Sequence, residues 1–349
     1  MKRSIRLNIN YANKGKLNSL DSIMTESIKV VNLYIDSLWD SNDKNLKFVN
    51  FKVETWLSAT LQQALGKQAL EIVKSQRKKK KKTKPIFKFS SINFDSRMVK
   101  VEFDLNSFDV WIRLTRLGEK IKLNIPSRKH KMFLKYKDWN RLGFIRLIKL
   151  NDKFYIDFIY EKESPTKVPD TTKIGLDIGY KKLLACSNGN IYGGKELNDI
   201  YIKISSLKQN SKAFKRTLKF RTNKTNEIII SFIDKEKPTS LVIEDLKNVK
   251  RNSKMSTKTM NKVQRWTYSR VIKKLDEQTE ERGLSLVKVS PAYTSQQCSK
   301  CDAIDEKSRS GERYSCRACG FEMDADLNAS INILKRGVYR PSKAENNLC

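Results

Sequence analysis

The chain has 349 residues, 71 Lys and Arg against 38 Asp and Glu, and a formal net charge of +33. The excess is spread evenly, +18 over residues 1–170 and +15 beyond them, so both halves are expected to face a polyanion. A hydrophobic content of 39% excludes wholesale disorder. No apolar run approaches the ~18 residues of a membrane span, and no signal-peptide stretch follows Met1-Lys2-Arg3, which points to a protein of the cell interior.

Apolar and polar residues alternate from Arg3 to Asn10, with Ile5, Leu7 and Ile9 on one side, and predict a half-buried strand. Ser22 to Trp39 and Trp56 to Val73 have helical spacing, the second with a stripe of Leu57, Leu61, Leu65, Ile72 and Val73. A basic run follows, Arg77-Lys78-Lys79-Lys80-Lys81-Lys82-Thr83-Lys84. It suits phosphate contact and suits a solvated loop equally well.

Period two returns at Val99–Phe103, Val110–Leu114 and Ile121–Ile125. A hairpin follows, Phe144–Leu150 and Phe154–Phe158 about a turn at Asn151-Asp152. Short strands with turn signals predict a small antiparallel barrel or sandwich, with the helices inserted after its first strand. The polar, Pro-bearing stretch Glu163 to Asp170 marks a domain boundary.

Beyond it, Lys173 to Gly179 is a buried-type strand with Leu183–Cys186 as its hairpin partner, and Ser205 to Asp234 is a basic helical region. Leu241–Asp245 and Leu284–Val289 are further strands, separated by an amphipathic helix from Val263 to Arg282 that Gly283 stops. Asp326 to Leu334 closes as a helix, and the residues after Arg340 form a tail.

A single histidine, His130, lies in the basic stretch Ser127 to Lys131. Paired-His metal centres are excluded, and histidine-based nucleophile arrangements have one candidate with no local support. Cys298-x2-Cys301 and Cys316-x2-Cys319 are two knuckles whose thiolates can close a tetrahedral zinc site. A closed four-sulfur site is structural, because it leaves no position for water. Cys186 sits in an apolar run and reads as core.

Acids inside apolar strands of so basic a chain require a reason. Asp177 lies between Leu176 and Ile178, Glu244 ends the Val-Ile strand, and Asp326 opens the last helix. Taken singly, each also fits a structural role as turn former, strand-end ion pair or helix cap. Together, such carboxylates can bind two Mg²⁺ ions and clamp a phosphodiester.

Ile174-Gly175-Leu176-Asp177-Ile178-Gly179, then Leu241-Val242-Ile243-Glu244-Asp245-Leu246, resemble the split RuvC-like nuclease of the TnpB family. The third segment resembles it too: Tyr293 to Cys301, Cys316 to Gly320, and Asp324-Ala325-Asp326-Leu327-Asn328-Ala329. That family comprises transposon-encoded RNA-guided DNA endonucleases, related to compact type V CRISPR effectors. The resemblance implies a multidomain α+β fold, an N-terminal antiparallel β-barrel (wedge) with an inserted helical recognition lobe. A C-terminal RNase H-like α/β (RuvC) nuclease would follow, with an inserted four-cysteine zinc ribbon.

The implied boundaries are a wedge strand at 1–12, recognition lobe at 13–84, wedge barrel at 85–165 and nuclease at 171–290. The ribbon then spans 291–320, the final nuclease helix 321–338 and the tail 339–349. The resemblance makes Asp177, Glu244 and Asp326 the Mg²⁺-binding catalytic acids, with Asp324 the alternative to Asp326. It makes Cys298, Cys301, Cys316 and Cys319 zinc ligands. Residues 77–82 (Arg77, Lys78, Lys79, Lys80, Lys81, Lys82) and Arg265 are candidate nucleic-acid contacts, although Trp266 beside Arg265 has helical core spacing. The implied partners are a guide RNA and target double-stranded DNA, with no membrane, monomer and homodimer both open, and a cytoplasmic, nucleoid-associated location. The stretch between Asp177 and Glu244 is shorter than the family usually has. Two other readings fit the charge: a non-cleaving RNA-guided repressor, and a zinc-ribbon DNA-binding transposase accessory protein.

Overall fold

In a computed structural model the alternation at the N-terminus becomes β1 (Lys2–Asn8), with Ile5 and Leu7 buried on one face. The described residues are 1–41, 49, 51–79, 82–88, 90–105, 107–118, 121–246 and 268–338. The chain divides into two units, Met1–Glu163 and Ser164–Cys349.

In the first unit two helices follow β1. Helix α1 (Lys14–Asp40) is capped by Asn13, and α2 (Ala59–Arg77) by Ser58, whose hydroxyl accepts from Leu61 N. Leu20, Ile23, Met24, Val30, Val31 and Ile35 line the buried face of α1 at the i, i+3, i+4 spacing that packs one helix face on a neighbour. The strands β2 (Ser91–Phe94), β3 (Val99–Leu105), β4 (Phe108–Leu114) and β5 (Leu123–Ser127) come next. After the short helix α3 (Lys131–Lys135), β6 (Asn140–Leu150) and β7 (Lys153–Glu161) complete the unit. Two antiparallel sheets result, ordered β1-β7-β6-β2 and β3-β4-β5, and both share one hydrophobic core with α1 and α2.

The β6–β7 turn at Asn151-Asp152 has positive φ at both residues, the backbone a two-residue hairpin needs and these residue types tolerate. Strand β5 starts two residues later than its alternation predicts and runs through Pro126. As the edge of its sheet it can spare that missing N–H donor. His130 caps α3, its Nδ1 accepting from Met132 N.

The second unit is built on a five-stranded sheet ordered β10-β9-β8-β11-β12. These strands are β8 (Lys173–Asp177), β9 (Leu184–Cys186), β10 (Ile191–Tyr192), β11 (Ser240–Glu244) and β12 (Ser285–Val289). Strands β8, β11 and β12 run parallel, whereas β9 and β10 are antiparallel additions. Helix α4 (Lys195–Ser206) was not expected; the helical region expected over Ser205–Asp234 is α5 (Lys212–Glu236), which starts later because Asn210 takes φ +64 and Ser211 caps it. Helix α6 is described over Tyr268–Arg282; the expected start at Val263, with Arg265 and Trp266, lies outside the described residues.

Side-chain alternation splits the sheet into two faces. Ile174, Leu176, Leu241 and Ile243 join α4, α5 and α6 in one cluster, which also takes in Cys186. Gly175, Asp177, Val242 and Glu244 project from the other face. That face is covered by α7 (Ala325–Val338), with Val242, Val289 and Ile333 in a second, smaller cluster. Two glycines allow this close approach. A Cβ on Gly175 would stand 2.3 Å from the Ser330 carbonyl oxygen, and one on Gly337 would stand 2.5 Å from Val242 Cγ2. Between β12 and α7 lies a three-stranded sheet, β13 (Arg309–Ser310), β14 (Arg313–Ser315) and β15 (Glu322–Asp324), with the cysteines at its base. Among the described residues no helix is long and apolar enough to cross a membrane.

Candidate active site and cysteine cluster

Asp177 and Glu244 sit at the C-terminal ends of the parallel neighbours β8 and β11, on the face that α7 covers. The ends of parallel strands are where open α/β sheets place ligands. Asp326 lies in the first turn of α7. Asp177 feels the other two: burial, then Glu244, then Asp326 push its carboxyl up to about 7. Burial also raises Glu244, against the opposing hydrogen bond from Thr294 and the charges of Arg336 and Arg309. The Thr294 hydroxyl donates to Glu244 Oε1, and the Tyr268 hydroxyl donates to the Glu244 carbonyl at 2.9 Å.

The two candidate acids of the last segment play separate parts. Asp324 caps α7, its Oδ1 accepting from Asp326 N at 3.1 Å and Leu327 N at 3.2 Å, while its Oδ2 pairs with Lys182. Asp326 instead meets Arg309 Nη2 at 2.9 Å and Lys182 Nζ at 3.6 Å. Asp326 is thus the acid that faces Asp177. Arg309 and Lys182 carry no sequence signal, because one lies in a two-residue strand of the ribbon and the other in a tight turn whose Lys182 carbonyl accepts from Gly179 N.

The four cysteine sulfurs lie within 4.8 Å of one another, and among the described residues they form the tight cluster of metal-ligand atoms. Cys298–Cys319 and Cys301–Cys316 sulfur separations are 3.8 and 3.6 Å. A tetrahedron with Zn–S bonds of about 2.3 Å has edges of about 3.8 Å, so the sulfurs already fit a zinc ion. The backbone amide of Cys319 draws the Cys316 thiol down to about 7, toward the thiolate a metal needs.

The candidate nucleic-acid residues lie apart from these centres in sequence and diverge in use. Arg77 donates to the Leu38, Trp39 and Ser41 carbonyls at 2.8, 3.3 and 2.9 Å, closing the C-terminal end of α1. Lys78, Lys79 and Lys82 are exposed, and Lys79 bonds Gln76 Oε1 at 2.7 Å. Lys80, Lys81 and Arg265 lie outside the described residues.

A family model described as Cas12f1-like, TNB domain, matches residues 268–333. The TnpB-like resemblance holds. The chain is 30% identical to a CRISPR-associated endodeoxyribonuclease Cas12f1 of Sulfoacidibacillus thermotolerans, over 52% of this chain and 50% of that protein. It is 28% identical to a putative RNA-guided DNA endonuclease InsQ of Escherichia coli, over 53% of this chain and 54% of that one. A TnpB-like protein of Aquifex aeolicus is 35% identical over 26% of this chain and 31% of its own length. The chain therefore spans about half the length, or less, of these curated relatives. A solved Cas12f1–sgRNA–target DNA complex superposes with a TM-score of 0.67 at 13% identity, covering 95% of this chain and 98% of that one. That likeness shows a shared mixed α/β multidomain fold.

Proposed function

We propose that this protein is an RNA-guided DNA endonuclease that cleaves its target at Asp177, Glu244 and Asp326. The observation that carries the reading is that Glu244, on the neighbouring strand, and Asp326, on the covering helix, both act with burial to push the Asp177 carboxyl up. Strand order β10-β9-β8-β11-β12, with the last three strands parallel, supports an RNase H-like (RuvC) core. The two sheets of the first unit support a wedge barrel, and α1 and α2 a small recognition lobe.

The donor set fits hard cations, since carboxylate oxygens are the ligands Mg²⁺ takes and its charge would relieve the buried Asp177 beside Glu244 and Asp326. Two Mg²⁺ ions held there would supply Lewis-acid charge to the attacking and leaving oxygens of a phosphodiester. Asp177, at the end of the central strand, would hold them along with Glu244 and Asp326. Thr294 holds Glu244 in place, and Asp324 fixes the first turn of α7 so that Asp326 faces inward. Arg309, paired to Asp326, stands where a guanidinium can also meet a phosphate oxygen. The four cysteines would hold zinc as a structural ion. Base pairing with a guide would select the target, leaving the protein to grip backbones with its positive charge.

The test is to purify the chain, sequence its bound RNA, and assay target-plasmid cleavage with Mg²⁺. Wild type should carry a discrete RNA and cut. Asp177→Asn should keep RNA and target binding and lose cleavage by at least about 10³-fold. Retained cleavage would remove Asp177 from the mechanism, and absence of a discrete RNA would sink the guide.

A further inference from the structure

Helix α7 carries a polar stripe that the proposed chemistry does not use. Asn328, Asn332 and Arg336 recur every four residues and so lie along one helix face. All three reach the same segment, residues 290–299, which leads into the first cysteine knuckle. Asn328 donates to the Gln297 carbonyl at 2.8 Å and accepts from Ser299 N, next to Cys298, at 2.9 Å. Asn332 spends both amide hydrogens, on the Thr294 carbonyl at 3.0 Å and the Gln297 carbonyl at 2.7 Å. Arg336 donates to the Ser290 carbonyl at 3.0 Å, to the Ala292 carbonyl, and to Gln297 Oε1 at 3.2 Å.

The segment so held ends, at Thr294, on Glu244. A hydroxyl has one proton to give. The Thr294 Oγ1 lies 3.1 Å from the Pro291 carbonyl and also against Glu244 Oε1, so an ionised Glu244 takes that proton as the stronger acceptor. Asp326 stands two residues before Asn328 on the same helix. A line of hydrogen bonds therefore runs from Ser299, the residue after Cys298, through Asn328, Gln297, Asn332 and Thr294 to Glu244.

Stability alone does not account for this line. Asn328 and Asn332 are 0% and 1% exposed, and the Asn332 Oδ1 has no hydrogen-bond partner. That unsatisfied acceptor is a cost borne alongside the two hydrogen bonds the same amide gives to the Thr294 and Gln297 carbonyls.

We infer that Asn328, Asn332 and Thr294 are positioning residues that couple the cysteine site to the carboxylate site, so that a filled zinc knuckle tightens divalent-cation binding at Asp177, Glu244 and Asp326. This rests on the cation-binding role proposed above for those acids. Coupling of this kind is reciprocal: a cation at the carboxylates also strengthens zinc retention at the cysteines. Partners behind metal ligands typically change affinity by about 10–100-fold.

Mn²⁺ serves as the probe, titrated against the full-length chain and read by the loss of its free-ion EPR signal, with no nucleic acid present. Zinc-loaded wild type should bind Mn²⁺, and Asp177→Asn should abolish that binding. Thr294→Val should weaken it about 10-fold, whereas Thr294→Ser, which keeps the hydroxyl, should stay within about 2-fold of wild type. Asn332→Leu removes the orphaned acceptor. Because it also takes away the donor to the Thr294 and Gln297 carbonyls, it should lower the melting temperature as well, so Mn²⁺ binding is read well below that melt, where it should weaken about 10-fold in fully folded protein. Stripping zinc should weaken Mn²⁺ binding in wild type and have less effect in Asn332→Leu. If wild type binds no Mn²⁺, or binds it regardless of Asp177, the carboxylate reading itself fails. If Asp177→Asn abolishes binding but Thr294→Val, Asn332→Leu and zinc removal leave it unchanged, the coupling is overturned and the carboxylate reading stands.

Discussion

Asp177 concentrates the electrostatic cost of the site on one carboxyl. Its folded value of about 7 lies above the ordinary carboxylate value near 3.8, so the native state holds a proton that the unfolded state has released. The stability this contributes is complete below about pH 4 and disappears as pH rises through about 7. In metal-free protein, Asp177→Asn should therefore gain on wild type by about 2–3 kcal/mol between pH 5 and pH 8 in urea unfolding. Mg²⁺ should stabilise wild type more at pH 8 than at pH 5.5 and leave the Asn variant nearly unmoved. An equal Mg²⁺ response in both proteins would separate the ion from this carboxyl. Asp177 and Glu244 were legible because a charge inside an apolar strand is conspicuous. Arg309, Lys182 and Thr294 were not, because each owes its place to a contact between segments far apart in sequence. The resemblance already favoured Asp326 over Asp324, and the geometry adds the reason the two differ: Asp324 stands just before the helix and spends its carboxylate on the backbone amides of the first turn, where Asp326 sits.

At the scale of elements, α7 is seated by two glycines with different neighbours. The Cβ of Gly175→Ala would meet backbone, Ser330 O and Leu334 N, and backbone cannot rotate away. We expect a loss of about 2–3 kcal/mol, with weaker Mn²⁺ binding as Asp326 shifts. The Cβ of Gly337→Ala would meet the Val242 side chain, so adding Val242→Ala should recover much of its loss, whereas it should not rescue Gly175→Ala. Thermal melts of the two pairs distinguish these cases, and equal rescue of both would contradict the packing described here. Elements with a strong period were legible, among them both N-terminal helices, the Asn151-Asp152 hairpin and the parallel strands β8, β11 and β12. Strands β2 and β10 and helix α3, of four, two and five residues, are too short for a period to register. Helix α4 (Lys195–Ser206) was not expected, and Gly194 at its N-cap makes no side-chain capping bond that would mark its start.

At the scale of the whole molecule, the charge of +33 makes a prediction of its own. If nucleic-acid phosphates displace counterions along both units, raising salt from 0.1 to 0.5 M should weaken RNA binding by about 10²-fold or more. A nearly flat salt response would argue against a phosphate-dominated grip. The evenness of the excess is plain from composition, but which cationic side chains touch phosphate does not follow from counting, as Arg77 shows by closing a helix end. The spread of the three acids along the chain also bears on the order in which the molecule is made. Strand β8 leaves the ribosome early with its Gly175 face bare, and β11 follows. The last of the acids, Asp326, is translated some 150 residues after Asp177, on the helix that covers that face. Until then the nascent chain has two of its three acids and a sheet open on one side, and a single late docking event closes the core and completes the carboxylate cluster together. A protein cut short before α7 would be unfinished as a fold and would lack the third acid of the cluster.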